Sequence, residues 1–351
     1  MKYLFLFLFA AAALGGGTRV IADDVSSYCR SIVVTDRGGV IYVSDTGELR
    51  TIDPDYSGDP INMAIDWGMQ LQDWRPGRVS SLQGNPGGTM ICFTQTAGVP
   101  EEYYTDERQN IPYPEIVAVC RSDGTAPRIL GLSFDVGSGP HFAFTQDSRF
   151  VYGGPWLECR PTPADFIEFF AGDGSGEMEP WLLVDLDTGE RSGDPGVIGD
   201  GFNGNPWSDL AAAGWYPPNT IVDITTQEIL LRDTSVNSPA IISQWVLPDG
   251  GLAMTSSGEQ VLRLADGSEW INPGDRINIY CRLQDGRYIF TRDSGETVLV
   301  GGIDWSDFSS VPAVEIPWME GLYPGSLVRE IPGSEWVAYL EGSFLMLAQL
   351  P

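Results

Sequence analysis

Short apolar runs recur along the chain, each closed by an Asp/Gly-type turn and followed by another run. Ile41-Tyr42-Val43, Ile116-Val117-Ala118-Val119, Phe150-Val151-Tyr152, Trp181-Leu182-Leu183-Val184 and Arg287-Tyr288-Ile289-Phe290 have strand length. The turns include Asp45-Thr46-Gly47, Asp123-Gly124, Asp147-Ser148, Asp187-Thr188-Gly189, Asp249-Gly250, Asp266-Gly267, Asp285-Gly286 and Asp293-Ser294-Gly295. Gly and Asp accept the positive φ that a tight hairpin turn needs, so each unit reads as two antiparallel strands. No long helical period separates them, which predicts an all-β protein built from repeats.

The repeats cut at about Cys29–Tyr56, Arg78–Asp135, Pro140–Val197, Trp207–Asp233, Pro239–Ile271, Arg276–Val300 and Pro324–Leu350. A spacing of about 45 residues is that of a four-stranded propeller blade. The expected fold is therefore a β-propeller of antiparallel four-stranded blades, seven in number, with six or eight as alternatives. Radial closure removes the open edges that a row of hairpins would leave. The first unit is short, so its strands are expected to complete the last blade.

Gly139-Pro140-His141-Phe142-Ala143-Phe144-Thr145-Gln146-Asp147-Ser148-Arg149-Phe150-Val151-Tyr152 resembles the WD40-like (PD40-type) repeat of TolB-like propellers. That repeat runs an apolar strand into a Ser-Pro-Asp-Gly turn and a second strand. The segments 244–254 and 282–290 are similar, although Thr145-Gln146 and Leu283-Gln284 stand where Ser-Pro is usual. The resemblance implies the propeller fold. No counterpart is expected for the extra N-terminal α/β domain of TolB itself, since the first hairpin starts almost at the expected leader boundary.

Lys2 followed by the apolar stretch Leu4–Leu14 reads as a secretory leader, too short to span a bilayer. Val20-Ile21-Ala22 sets cleavage after Ala22, giving a leader over 1–22 and a single propeller domain over 23–351; Leu14-Gly15-Gly16-Gly17 is the alternative cut region. The mature chain is expected to be secreted or periplasmic, with no membrane span.

The formal charge of −28 comes from 48 acidic against 20 basic residues, and Lys2 is the only lysine. Such a surface repels nucleic acid and anionic lipid, which are bound by displacing counterions with Lys and Arg. Cations, basic proteins and uncharged glycans remain as partners. A saline habitat would produce the same composition.

The five cysteines, Cys29, Cys92, Cys120, Cys159 and Cys281, fit no CxxC metal or redox spacing. Cys92 and Cys120 fall in strands expected to pair within one blade and are the candidate disulfide. The lone histidine, His141, leaves little room for a nucleophilic triad, and no Gly-x-Ser-x-Gly elbow is present. Asp185-Leu186-Asp187-Thr188-Gly189-Glu190 alternates oxygen ligands but is also an ordinary hairpin turn. Asp173, Glu177 and Glu179 are the better candidates for Ca2+, without EF-hand spacing.

Antiparallel blades send the A–B and C–D turns to one side of the disc and the B–C loops to the other. The two longest interruptions, 96–114 and 154–180, are B–C loops of the second and third blades and are expected side by side. Long loops on a rigid scaffold are where binding resides. Trp67, Trp74, Trp156, Trp207, Trp215, Trp305 and Trp318 stand in connections, and flat rings serve peptide or sugar recognition. Tyr103, Tyr104, Tyr113, Trp156, Phe166 and Phe169 mark the expected recognition surface. The reading is a non-catalytic binding or scaffold propeller whose partner is an envelope or extracellular protein or a glycan. The competing reading is a carbohydrate-active enzyme, a glycoside hydrolase or lyase, using paired carboxylates on the loop face or at the channel mouth.

Overall fold

The computed structural model describes residues 17–67, 74–98, 115–133, 142–153, 182–192, 202–204, 209–213, 219–226, 228–233, 241–246, 252–256, 260–263, 269–272, 277–292, 297–304, 309–319, 322 and 327–351. Among them are seven antiparallel four-stranded sheets, and the chain is all-β as the alternation predicts. They fall in two compact units, Asp24–Arg276 and Ile277–Pro351 with the N-terminal residues through Asp23.

Strand β1 (Thr18–Ala22) belongs to the second of these units, and five sheets make up the first. Sheet 1 holds β2 (Ile32–Val34), β3 (Val40–Val43), β4 (Leu49–Ile52) and β5 (Ile61–Asn62). Sheet 2 holds β6 (Arg75–Gly84), β7 (Met90–Gly98), β8 (Glu115–Arg121) and β9 (Arg128–Ser133). Sheet 3 holds β10 (Phe142–Phe144), β11 (Phe150–Gly153), β12 (Leu182–Asp185) and β13 (Arg191–Ser192). Sheet 4 runs through β14 (Phe202–Gly204), β15 (Leu210–Ala213), β16 (Asn219–Asp223) and β17 (Ile229–Asp233). Sheet 5 runs through β18 (Ile241–Val246), β19 (Leu252–Ser256), β20 (Gln260–Arg263) and β21 (Glu269–Asn272).

In the other unit, sheet 6 contains β22 (Ile277–Arg282), β23 (Tyr288–Arg292), β24 (Val298–Asp304) and β25 (Ser309–Glu315). Sheet 7 contains β26 (Val328–Glu330), β27 (Trp336–Glu341) and β28 (Phe344–Gln349), with β1 as its fourth strand. One expectation changes here. The first repeat does not complete the last sheet: β5 gives sheet 1 a fourth strand of its own, and β1 fills the place in sheet 7. The short β5 escaped notice because Ile61-Asn62 carries no alternation of its own. Residues 18–22, assigned above to the leader, form a paired strand.

The repeat has a fixed grammar around its first turn. A residue with positive φ stands in that turn at Gly38 (84°), Gly88 (65°), Ser148 (62°) and Gly286 (88°). The third and fourth residues after it, Ile41/Tyr42, Ile91/Cys92, Val151/Tyr152 and Ile289/Phe290, are each 0% exposed. Successive strand residues point to opposite faces, so the second strand of each of these sheets is buried on both sides. This explains why those runs are continuously apolar rather than alternating. Each such side chain contributes roughly 1.5–3 kcal/mol relative to exposure.

The register explains the fate of the cysteines. Cys92 pairs with Val119 and Cys120 with Ile91, so the two thiols leave opposite faces of sheet 2. Cys92 packs with Phe142, Phe144 and Val151 of sheet 3, whereas Cys120 packs with Val33 and Ile41 of sheet 1. The expected Cys92–Cys120 disulfide is therefore not formed. Adjacent strands were correctly paired, but a one-residue offset reverses the face. Cys29, Cys92, Cys120 and Cys281 are buried free thiols.

Candidate binding face

The ends of sheets 1 to 3 differ in what they carry. At the end formed by the first and third turns, polar groups tie neighbouring sheets together. The Asn85 carboxamide donates to Ser148 Oγ at 2.8 Å, while its oxygen accepts from the Thr89 and Met90 amides. Asp36 N–H donates to the Gly88 carbonyl at 3.1 Å, and Gln146 N–H to Asp209 Oδ1 at 2.6 Å. Arg128 donates to the Leu186 carbonyl at 2.8 Å, and Arg191 reaches the Leu130 carbonyl. A side chain at Gly189 would collide with the Arg128 guanidinium, so the turn glycine also makes room for that tie.

The aspartates of these turns are structural caps. Asp185 Oδ1 accepts from the Asp187 and Thr188 amides, and Oδ2 takes the Arg149 guanidinium at 2.8 Å. The Thr188 amide leads in holding the Asp185 carboxyl below its usual range. The Thr145 hydroxyl does the same for Asp147, and the Thr125 hydroxyl for Asp123. Asp285 is also lowered: burial opposes this, but the Arg287 amide and guanidinium outweigh it. Run 185–190 is thus a hairpin cap, with the oxygens of Asp185 spent on protein donors. Among the described residues no group of three or more His, Cys, Asp or Glu is placed to hold a metal ion.

The Asn85–Ser148 bond fixes where the other end lies. Asn85 precedes β7 and Ser148 precedes β11, so both second strands start at the tied end and run away from it. β7 ends at Gly98 and β11 at Gly153, and the next described residues are Glu115 and Leu182. Both long connections therefore leave sheets 2 and 3 at the same, far end, as second-to-third-strand connections. Each springs from a closed pair: Thr96 opposite Glu115 and Gly153 opposite Leu182.

The base of the first connection is held in place. The Arg78 amide donates to Thr96 Oγ1 at 2.8 Å, and the Gln95 amide group donates to the Gly77 carbonyl at 2.8 Å. The Arg78 guanidinium crosses to sheet 1, donating to the Asp45 carbonyl at 2.6 Å and the Thr46 carbonyl at 3.2 Å. Glu115, 4% exposed, opens β8 directly below the connection. Sequence reasoning did not find this arginine; the interruption of the β6 alternation at Pro76-Gly77-Arg78 was its only signal.

Tyr103, Tyr104, Tyr113, Trp156, Phe166 and Phe169 lie outside the described residues, as do Asp173, Glu177, Glu179 and His141. Three of the tryptophans singled out in connections are described, and all three pack inward. Trp74 is buried, Trp67 packs against the same cluster with its ring 5.9 Å from Phe93, and Trp318 donates to the Gln349 carbonyl at 2.9 Å. These three staple structure rather than offer a surface, and Trp156, Trp207, Trp215 and Trp305 lie outside the described residues.

Solved structures show the same fold. The Myceliophteria thermophila Cps50 (Swd1) β-propeller domain is similar with a TM-score of 0.51 at 12% identity, over 95% of this chain and 100% of that one. A chain of the mitotic checkpoint complex is similar with a TM-score of 0.57 at 12% identity, over 95% of this chain and 90% of that one. No family profile and no curated protein matches the sequence. At such identities the likeness is one of architecture: the chain has the β-propeller fold.

Proposed function

We propose that this chain is an exported, non-catalytic propeller that captures a protein or glycan partner on the face bearing connections 99–114 and 154–181. The observation that carries this reading is the Asn85–Ser148 tie, which sets both connections at one end of adjacent sheets. Tyr103, Tyr104 and Tyr113 occupy one connection, and Trp156, Phe166 and Phe169 the other. Rigid aromatic rings give large contact area at low entropy cost, which suits them to recognition. The opposite end of sheets 1 to 3 carries ties between turns, such as Asn85–Ser148 and Arg128 to the Leu186 carbonyl. One of the two similar structures is itself an assembly, which agrees with a propeller used as a docking platform. The resemblance of the repeat segments to the TolB-like type and the leader-like start support a secreted or periplasmic site of action.

The test is capture from an extract of the native envelope at native salt. A triple variant, Tyr103→Ala, Tyr104→Ala and Trp156→Ala, should retain its fold and lose the partners that the parent chain enriches. Equal enrichment by the two proteins would remove the basis for this face.

A further inference from the structure

The pairing of β1 bears on where the leader is cut. Thr18 pairs with Ala348, Arg19 with Leu347, Val20 with Met346 and Ala22 with Leu345. The Gln349 amide adds a bond of 2.7 Å to the Gly17 carbonyl. A cut after Ala22 would remove this whole strand and leave sheet 7 with three. β28, with the sequence Phe-Leu-Met-Leu-Ala-Gln, would then be an uncharged apolar edge with unpaired amides. Such an edge invites pairing with other chains, and proteins avoid it with charge, proline or cover. Arg19 is the charge that β1 brings to the edge it covers.

Small residues around the cut have structural uses as well. Ala22 is buried at 6% exposure. A Cβ at position 17 would stand 2.5 Å from Gln349 Cβ, so Gly17 permits the close approach that starts the pairing. Both sites that look like processing signals are therefore also requirements of sheet 7. A leader peptidase needs small residues at −3 and −1. Ala13 and Gly15 meet that need and leave Gly17 in place.

Resting on the export reading above, we propose that the leader is removed N-terminal to Thr18, at the Gly15–Gly16 bond, and that Thr18–Ala22 remains in the mature protein as the fourth strand of sheet 7. The step is hydrolysis of one peptide bond: water supplies its oxygen to the new Gly15 carboxylate and both its protons to the new Gly16 ammonium. The catalyst is the export machinery's peptidase.

The experiment is expression of the full precursor in an exporting host, followed by intact mass and N-terminal sequencing of the exported protein. A mature terminus at Gly16, Gly17 or Thr18, with β1 retained, supports the proposal. A terminus at Asp23 overturns it while leaving the export reading intact. An exported chain still beginning at Met1 overturns the proposal alone, whereas a chain that stays in the cytoplasm of that host overturns the export reading and this proposal with it. Amide exchange on the same sample gives a second readout. Leu345–Gln349 should exchange slowly, as in a strand paired on both sides, and fast exchange there would show that β1 is not in place.

Discussion

The Asn85 side chain donates to the Ser148 hydroxyl at 2.8 Å, joining the first turn of one sheet to the first turn of the next. Ser148 holds φ at 62°, a conformation in which a side chain is strained and which glycine adopts at Gly38, Gly88 and Gly286. The serine thus accepts backbone strain and gains a hydrogen bond between sheets.

Two substitutions separate those effects. Ser148→Ala keeps the strain and loses the bond, so it should destabilise by about 1 kcal/mol. Ser148→Gly loses the bond but relieves the strain by a similar amount, and should be close to neutral. Urea unfolding midpoints of the two variants check this. Equal losses would mean that the hydroxyl, not the backbone, decides the position.

Gly88 and Gly286 share positive φ but differ in surroundings. A Cβ on Gly88 would stand 2.5 Å from the Val34 carbonyl oxygen of sheet 1, whereas one on Gly286 meets nothing within 4 Å. Gly286→Ala should cost about 1 kcal/mol from backbone strain alone. Gly88→Ala adds a clash with a neighbouring sheet and should cost roughly 2–4 kcal/mol. Thermal unfolding of both variants would rank them; a smaller loss at Gly88 would contradict the close approach of sheets 1 and 2.

Asp123, Asp147, Asp185 and Asp285 are all held below their ordinary pKa by turn donors. A carboxyl lowered on folding contributes stability that is complete above its unfolded value of about 3.9 and is lost as pH falls through the folded value. Glu330, raised chiefly by burial, works the other way and regains stability on protonation. Stability should therefore hold between pH 7 and 5 and fall below about pH 4. Asp185→Asn should lower the unfolding midpoint at pH 7, with the difference from the parent narrowing as pH falls below about 4. A constant difference would mean that the charge of Asp185 plays no part.

Burial pushes the Cys29 thiol up to about 11, and Cys120 to about 12. Neither is a ready thiolate at neutral pH. A thiol reagent should leave Cys29, Cys92, Cys120 and Cys281 unlabelled in the native protein and label all four after unfolding without reductant. Mass mapping that finds Cys92 and Cys120 bridged would contradict the register of sheet 2.

The fold was readable because sheets 1, 2, 3 and 6 each carry the same local signature. A positive-φ turn residue and two buried apolar positions recur at fixed offsets, as in Gly38–Ile41–Tyr42 and Ser148–Val151–Tyr152. The errors fell where local pattern is silent. Ile61-Asn62 is too short to alternate, and Thr18–Ala22 pairs with a strand more than 300 residues away, so neither announced its partner. Face assignment also depends on register, which is why adjacent strands suggested a bridge that Cys92 and Cys120 cannot make. The ends of the sheets followed from strand order once hairpins were counted. The ties that fix those ends, Asn85–Ser148 and Arg78 to the Asp45-Thr46-Gly47 turn, join different repeats and leave no mark in either repeat alone.

The central claim is that the partner docks on the end of sheets 2 and 3 from which the long connections leave. It is tested most directly by comparing captured envelope material for two variants matched in stability. One replaces Tyr103, Tyr104 and Trp156 by alanine on that end; the other replaces Asp123 and Asp187 by asparagine at the opposite end. The account predicts that the aromatic variant loses the partner by tenfold or more, while the turn variant retains it. Loss in the turn variant with capture unchanged in the aromatic one would place the binding face on the opposite end.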